Sequence, residues 1–176
     1  MVAMVAMLAT AASVGCGSGT PRSGPVSSRP PTAVEANATV VHIVDGDTID
    51  VQIGGADERV RLTGIDTPEI AHEPSGDRPG NDAECFADAA HGFVAALLPA
   101  GTEVRLERDV VGRDDYGRLL AYVYRASDDL FINYEIVRQG YARPLTIAPN
   151  VAHSELMVQA ARDAERADAG LWSACR

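Results

Sequence analysis

Residues 39–53 read Thr-Val-Val-His-Ile-Val-Asp-Gly-Asp-Thr-Ile-Asp-Val-Gln-Ile, and this stretch decides the fold. Two runs rich in β-branched residues, 39–44 and 48–53, flank the dipeptide Asp45-Gly46, and the second run alternates apolar and polar side chains. An Asp-Gly pair between two such runs is a strong signal for a tight β-hairpin. The sequence therefore predicts two paired strands at the start of a sheet.

A third strand follows over residues 59–65. Val60 and Leu62 share one face of this strand, whereas Arg59 and Arg61 share the other, because successive side chains of a strand point to opposite sides. The pattern predicts an apolar face toward a core and a polar face that carries arginines.

The later segments add strands and then helices. Further β-rich runs lie at 102–108 and 119–124, and helical spacing or capping residues predict three helices, at 82–98, from Asn133 to Gly140 and from Ser154 to Gly170. These elements suit a small closed barrel better than a parallel sheet, because strands one to three follow one another through tight turns. The expected fold class is α+β, mainly β, with a five-stranded barrel and three helices.

Composition and charge limit the classes of function. The chain has 176 residues, of which 46% are hydrophobic and 23% are charged, so it lies outside the range of disordered, collagenous or coiled-coil proteins. All 15 basic residues are Arg, and 25 acidic residues give a formal net charge of -10. A protein that only coats nucleic acid usually carries a basic face, so the charge argues against passive coating. An enzyme that supplies a cation at a local site escapes this objection.

The N-terminal segment predicts export. Residues 1–15 are uncharged and apolar, end in small residues before Cys16, and are typical of a signal peptide. Ser13-Val14-Gly15-Cys16 resembles a bacterial lipobox, in which the Cys is lipidated, and residues 16–36 are rich in Ser, Gly and Pro, which predicts a flexible tether. We expect an exported cell-membrane lipoprotein whose folded domain spans 37–176 and is anchored through Cys16. The alternative is an ordinary buried helix at the start of a domain.

Two cysteines remain, Cys85 and Cys175. An even remainder in an exported protein suggests a disulfide bond. This bond would close a loop of about 90 residues, contribute roughly 4 to 5 kcal/mol to stability on the chain-entropy estimate, and pin the C-terminus to the domain. The alternative is a pair of buried free thiols.

Three polar segments interrupt the strands. Each has an ordinary structural explanation when it is taken alone: a turn at 44–48, a strand end at 65–69 and a polar hairpin tip at 113–118. Their order along the chain is more informative than any one of them.

The chain resembles the thermonuclease family of staphylococcal-nuclease-like domains in four segments taken in order: Val44-Asp-Gly-Asp-Thr-Ile49, Arg61-Leu-Thr-Gly-Ile-Asp-Thr-Pro-Glu69, Asp115-Tyr-Gly-Arg-Leu-Leu-Ala-Tyr122 and Val137-Arg-Gln-Gly140. The match runs from about Val40 to Trp172, and it is specific as a set although each segment alone is weak. The resemblance implies an OB-fold barrel of five strands with three helices. It also implies calcium-dependent hydrolysis of phosphodiester bonds in DNA and/or RNA.

The resemblance further implies a calcium site. Carried across by position, the carboxylates of Asp47 and Asp66 and the backbone carbonyl of Thr67 are the implied Ca2+ ligands. Calcium is a hard ion that binds several oxygen ligands, so this set suits it. The ion would offset the repulsion between acidic side chains and an anionic substrate.

The implied catalytic residues are Arg61, Glu69 and Arg118. The two arginines are the implied phosphate ligands, because forked guanidinium groups stabilise the charge that develops on phosphate oxygens. Glu69 is the implied general base, which accepts a proton from the attacking water or orients it. Tyr116 is implied to bind substrate as the aromatic residue beside the phosphate.

Structural alternatives to these roles are ordinary ion pairs and backbone hydrogen bonds: Arg118 with Asp114 or Asp115, Arg61 with Glu58 or Asp50, and Glu69 with nearby backbone groups. The four histidines show no metal-ligand spacing and are predicted to be solvated or packed: His42, His72, His91 and His153.

Some positions depart from the family pattern. Asp115 stands where well-known members have Lys, and Thr146 and Ala148 stand where two tyrosines flank the base-binding rim. Because base stacking contributes about 1 to 3 kcal/mol per base, we expect weaker affinity for short nucleotides.

The expected function is therefore a calcium-dependent nuclease, monomeric and without an obligate protein partner. The rival interpretation is a non-catalytic OB-fold module of the cell envelope that binds a ligand or a protein. The joint presence of both candidate calcium carboxylates and all three candidate catalytic residues favours the enzyme, because a binding module has no need to keep them.

Overall fold

Five strands form a closed barrel in the computed structural model, which describes residues 35–76 and 79–176. The predicted signal peptide, Cys16 and nearly all of the tether lie outside the described residues. In chain order the elements are β1 (Ala38–Asp45), β2 (Thr48–Ile53), β3 (Ala56–Leu62), β4 (Ile65–Asp66), α1 (Ala87–Leu97), β5 (Glu103–Glu107), β6 (Leu119–Arg125), β7 (Leu130–Phe131), α2 (Ile132–Arg138), β8 (Arg143–Pro144), α3 (Ser154–Arg166) and α4 (Leu171–Ala174).

The barrel closes through a pairing between strands that are far apart in sequence. The main sheet has the order β3-β2-β1-β5-β6-β7, and its neighbouring strands are antiparallel. In addition, β3 pairs with β6 in parallel, with Val60 opposite Leu119 and Leu62 opposite Ala121. This pairing makes β1, β2, β3, β6 and β5 a ring, as expected for a barrel of the OB type.

The core fills the interior of this barrel. Ile49, Val51, Val60 and Leu62 are completely buried, in agreement with the alternation in the sequence. Arg59, on the opposite face of β3, is exposed. The predicted hairpin and the arginine-bearing face of the third strand are both confirmed.

The third strand ends earlier than predicted, at Leu62. The chain turns at Thr63-Gly64, where Gly64 has a φ of 85°, a conformation that glycine adopts without the strain of a side chain. It then forms the short strand β4, which pairs with β8 so that Asp66 lies opposite Arg143. This turn brings the residues after β4 back toward the β1–β2 hairpin.

The three predicted helices are all present at about the predicted places, and the structure differs from the prediction in three ways. The first helix begins at Ala87 rather than Asp82, because the preceding residues bond back across a loop. The third begins at the predicted Ser154, but the capping position is His153. A fourth helix of four residues, α4, was not predicted. No helix among the described residues has the length and apolar character that a membrane span requires.

The prediction that Asn133 caps a helix is wrong. Asn133 is completely buried, and α2 begins one residue before it. Its side chain accepts a hydrogen bond from the Val123 amide at 2.9 Å and donates one to the Thr63 carbonyl at 2.8 Å. Asn133 therefore satisfies two backbone groups that strand pairing leaves free, and it fixes the end of β3 against β6.

Replacing Asn133 with Ala is expected to lower the free energy of unfolding by about 1 to 3 kcal/mol, because two buried backbone groups lose their partners. Urea denaturation followed by circular dichroism measures this loss. Gln52→Ala, at an exposed position of β2, is the control and should stay within about 0.5 kcal/mol. Equal denaturation midpoints for Asn133→Ala and the wild type would contradict the structural role of Asn133.

Cys85 and Cys175, which the sequence predicts to pair, lie at disulfide-bonding distance, with Cα atoms 5.8 Å apart. The bond joins the residue that precedes Phe86 and α1 to the residue that follows α4. The C-terminus is thereby pinned beside the start of α1.

Candidate active site

The candidate site is built around the β1–β2 turn, which carries Asp47. This residue is only 2% exposed. Its carboxylate accepts hydrogen bonds from the Thr48 hydroxyl and from the Thr67 amide, both at 3.0 Å, and its backbone carbonyl accepts one from the Leu62 amide at 2.8 Å. Residues distant in sequence are thus held against the turn.

Gly46 allows this close approach. A Cβ atom at position 46 would lie 2.7 Å from the Thr67 Oγ1 and 2.9 Å from the Thr67 Cβ, which is too close for any side chain. The glycine predicted from the hairpin signal is therefore also needed so that Thr67 can pack on the turn.

Arg61 joins the two predicted calcium-binding carboxylates. Its Nη2 lies 3.0 Å from the Asp47 Oδ2 and 3.0 Å from the Asp66 Oδ1. Its Nη1 donates to the backbone carbonyls of Leu62 and Ile65, both at 2.8 Å. One guanidinium group therefore holds Asp47 and Asp66 in the same cluster.

The alternative ion pairs considered for Arg61 do not form. Asp50 pairs instead with Arg59 at 2.8 Å, and Glu58 pairs with Arg113 at 2.8 Å. Arg61 is therefore directed inward, to the carboxylates of the candidate site.

Burial raises the pKa of the Asp47 carboxyl, although the charge of Arg61 and the Thr67 amide act in the opposite direction. The neighbouring protein groups therefore do not fully offset the cost of burying the negative charge of Asp47. A bound cation would favour the charged form.

Glu69 lies in a second group of side chains, with Asp45 and His72. One ligand atom from each of the three residues lies within 4.8 Å of the others. A hydrogen bond with Asp45 raises the pKa of Glu69 to about 7, and partial burial and the charges of Asp45 and Asp47 act in the same direction. The carboxylate contacts Asp45 rather than the backbone groups that were its structural alternative.

Sequence reasoning missed Asp45 and His72 as members of this site. Asp45 was interpreted only as a turn residue, although it is 4% exposed. His72 was expected to be solvated or packed, and its imidazole Nε2 lies 4.0 Å from the Glu69 Oε2. Two signals in the sequence could have identified them. His72 lies three residues after Glu69, and Asp45 lies in the same hairpin turn as Asp47.

Arg118 is held by Asp114, as one of its structural alternatives predicted. The Arg118 Nε lies 2.7 Å from the Asp114 Oδ2, while the Asp114 Oδ1 accepts the amides of Tyr116 and Arg118. Among the described residues, the two terminal nitrogens of Arg118 have no hydrogen-bond partner. The ion pair therefore orients the guanidinium group and leaves its outer edge available for a ligand.

Arg118, Tyr116 and Glu69 border one cavity of about 980 Å³, together with Asp45 and His72. Tyr116 is 82% exposed, and its ring centroid lies 5.4 Å from the Arg118 Cζ. The cavity thus brings the candidate base, a free guanidinium edge and an exposed aromatic ring to one surface.

The residues at the positions of the family's base-binding rim, and Asp115, do not border this cavity. Thr146 borders a separate cavity of about 430 Å³ along α3, and Ala148 and Asp115 are exposed. Tyr116 is the tyrosine that borders the cavity of Glu69 and Arg118, so it is the candidate for stacking there.

The residues fit a hard divalent cation. Asp47 and Asp66 supply carboxylate oxygens around one guanidinium group, and the neighbouring group adds the oxygens of Asp45 and Glu69 and the imidazole nitrogen of His72. The Thr67 Oγ1 is buried and has no hydrogen-bond partner. An orphaned oxygen beside incompletely compensated carboxylates is the kind of environment that a calcium ion satisfies.

Comparison with known proteins gives matches over the same region. The family model described as staphylococcal nuclease homologue matches residues 59–174. The thermonuclease of Staphylococcus intermedius is 37% identical over 133 residues, 76% of this chain and 74% of that protein. The thermonuclease of Staphylococcus hyicus is 32% identical over 141 residues, 80% of this chain and 78% of that protein.

The SPbeta prophage-derived endonuclease YokF of Bacillus subtilis is 31% identical over 139 residues, 78% of this chain and 44% of that protein. These matches cover most of the described residues, and the model match alone covers more than half of the chain. The barrel and the order of the polar segments agree with them. The chain therefore belongs to the staphylococcal nuclease homologue family.

Proposed function

We propose that this chain is a calcium-dependent nuclease that hydrolyses phosphodiester bonds in DNA and/or RNA. One observation carries the proposal: the free edge of Arg118 and the carboxylate of Glu69 border the same cavity, next to the carboxylates that Arg61 holds together. A guanidinium group, a base and an oxygen-rich cation site are the groups that hydrolysis of a phosphodiester requires. Two thermonucleases and an endonuclease among the relatives support it.

Asp47, Asp66 and the Thr67 carbonyl would hold the calcium ion. When bound, the ion would offset the negative charge of the site and stabilise charge on the phosphate oxygens. Asp47 is buried and fixed by hydrogen bonds, whereas Asp66 is about half exposed. The rigid carboxylate would define the site, and the exposed one would complete it from the solvent side.

The two arginines have different contacts and therefore different contributions. Arg118 uses its Nε on Asp114, which leaves two terminal nitrogens to bind a phosphate in a forked arrangement. Arg61 uses its terminal nitrogens on Asp47, Asp66 and two backbone carbonyls. We assign the principal phosphate contact to Arg118, while Arg61 orders the carboxylates and adds positive charge at the phosphate side of the site.

Glu69 would accept a proton from the attacking water or orient it. Its contact with Asp45 gives it a pKa of about 7, which makes proton exchange possible near neutral pH. The exposed side chain opens onto the cavity in which Arg118 lies, so the water and the phosphate can meet there.

Digestion of linear DNA and RNA by the purified protein tests this function. With calcium, we expect cleavage of at least one of the two substrates, and an excess of chelator should abolish it because the carboxylates then lack their cation. Magnesium in place of calcium tests the selectivity for the ion. Full activity under chelation would contradict the metal assignment, and binding without cleavage in every buffer would favour the non-catalytic module.

We also propose that the protein is exported and anchored to the cell membrane by a lipid on Cys16. The apolar segment before Cys16 and the disulfide-bonding distance between Cys85 and Cys175 support this, because disulfides persist in oxidising compartments.

Growth of an expressing bacterium with a labelled fatty acid tests the anchor. The wild type should carry label in the membrane fraction, whereas Cys16→Ser should lose both the label and the membrane association. Cys85→Ser is the matched control and should keep its label. Equal labelling of Cys16→Ser and the wild type would exclude Cys16 as the lipidation site.

A further inference from the structure

Glu69 is the first residue of a loop that leaves the barrel and returns at Glu84. These two residues bond reciprocally: the Glu69 amide donates to the Glu84 Oε2 at 3.2 Å, and the Glu84 amide donates to the Glu69 carbonyl at 2.9 Å. Glu84 therefore binds both backbone polar groups of the candidate base. No residue of a barrel strand supplies either of these two bonds.

A second pair of bonds closes the loop three residues further along. The amides and carbonyls of His72 and Asn81 exchange hydrogen bonds at 3.1 and 3.0 Å, and the Asn81 side chain donates to the Ile70 carbonyl at 3.0 Å. We call these two pairs, Glu69 with Glu84 and His72 with Asn81, the neck of the loop. Glu69, His72 and Asn81 of the neck border the candidate cavity, and the segment after Glu84 leads into α1.

The segment that returns from the loop is anchored by the three residues that follow Glu84. Cys85 follows Glu84 and is paired with Cys175, which is 90 residues away in sequence. The Ala87 amide donates to the Glu84 carbonyl at 3.1 Å, which ties Glu84 to the start of α1. The ring of Phe86 stacks on Tyr141, with centroids 5.2 Å apart.

The partner end of the disulfide is fixed in turn. Leu171, at the start of α4, is 2% exposed, and its amide donates to the Gly140 carbonyl at 2.9 Å. The Cys175 amide donates to the Leu171 carbonyl at 3.0 Å. The disulfide therefore connects the exposed neck to a buried part of the domain.

We propose that Glu84 is a positioning residue for Glu69, and that the Cys85–Cys175 disulfide acts through Glu84 to keep the candidate base in place. The inference rests on the proposed nuclease function. The Glu69 side chain is 53% exposed, so its position depends on its backbone as well as on its contact with Asp45. A displacement of about 1 Å of a catalytic group can lower a rate about 100-fold.

Kinetics with calcium and saturating nucleic acid test the role of Glu84. Glu84→Ala should lower kcat by about 10-fold or more with little change in KM, because it moves the base without removing a substrate contact. Glu84→Gln should restore most of the activity, since its amide oxygen still accepts the Glu69 amide. Asp82→Ala is the control. It removes an exposed acid from the same returning segment, two residues before Glu84, and should behave like the wild type.

The disulfide is tested by Cys175→Ser at a temperature at which every variant is folded. Its kcat should fall in the same direction as that of Glu84→Ala, and combining the two substitutions should cost less than the product of the separate effects. The control is Arg176→Ala, which removes the ion pair between Arg176 and Asp168 at the same terminus but leaves the disulfide intact.

Amide hydrogen exchange at Glu69 gives a readout that needs no activity. In Glu84→Ala and Cys175→Ser the Glu69 amide should exchange several-fold faster than in the wild type, while amides of β2 stay protected. Unchanged exchange, wild-type kcat in Glu84→Ala, or equal losses in Glu84→Gln and Glu84→Ala would overturn the proposal. If the wild-type protein hydrolyses no nucleic acid, the proposed nuclease function is contradicted but the role of Glu84 is not. The hydrogen-exchange data would still decide whether Glu84 holds Glu69 in place.

Discussion

Replacing Glu69 with Gln is expected to lower kcat by about 100- to 10,000-fold while the protein still folds, because that is the usual contribution of a general acid or base. Gln has nearly the same shape, so it can stay beside Asp45 in the cavity. It has no carboxylate to accept a proton from water. Single-turnover cleavage of a labelled oligonucleotide with calcium present measures the chemical step directly.

Glu73→Gln is the control for this substitution. Glu73 is an exposed acid of the same loop and borders the same cavity, so its replacement makes an equal change in charge. The control should retain nearly wild-type kcat, which separates loss of a base from loss of negative charge. Turnover by Glu69→Gln at the wild-type rate would remove Glu69 from the mechanism.

The sequence predicted the local features of the fold because local patterns determine them. The hairpin at Asp45-Gly46 and the burial of Val60 and Leu62 follow from turn preference and from the twofold repeat of a strand. The closure of the barrel does not follow in this way. β3 and β6 pair in parallel although β4, α1 and β5 lie between them in the sequence. No property of either strand alone specifies its partner.

The site shows the same division. The family resemblance implied roles for Asp47, Arg61 and Asp66, and in the structure both carboxylates lie 3.0 Å from one guanidinium nitrogen of Arg61. The proximity of Asp45 and Glu69 was not predicted, because it joins the end of a strand to a loop that lies 24 residues further along the chain. Asn133 was misassigned for a similar reason: a capping residue and a buried amide look alike until the neighbouring strands are placed.

Replacing Asp47 with Asn is expected to lower calcium affinity about 100-fold or more. Changes to residues that only support metal ligands cost about 10- to 100-fold, so loss of a direct carboxylate ligand should cost at least as much. The substitution preserves shape, and the amide oxygen can still accept the Thr67 amide. Arg61 keeps its bonds to Asp66 and to two carbonyls, so removal of the Asp47 charge does not leave the guanidinium group unpaired.

Isothermal titration of calcium into the purified variants measures this effect without substrate, and circular dichroism checks the fold. Asp50→Asn is the matched control. Asp50 lies in the same hairpin, but its carboxylate pairs with Arg59 and not with Arg61, so this variant should bind calcium like the wild type. The same Asp47→Asn protein should lose nuclease activity in proportion to calcium occupancy and recover part of it at high calcium. Wild-type affinity in Asp47→Asn would exclude Asp47 as a ligand and move the ion to the neighbouring group of Asp45, Glu69 and His72.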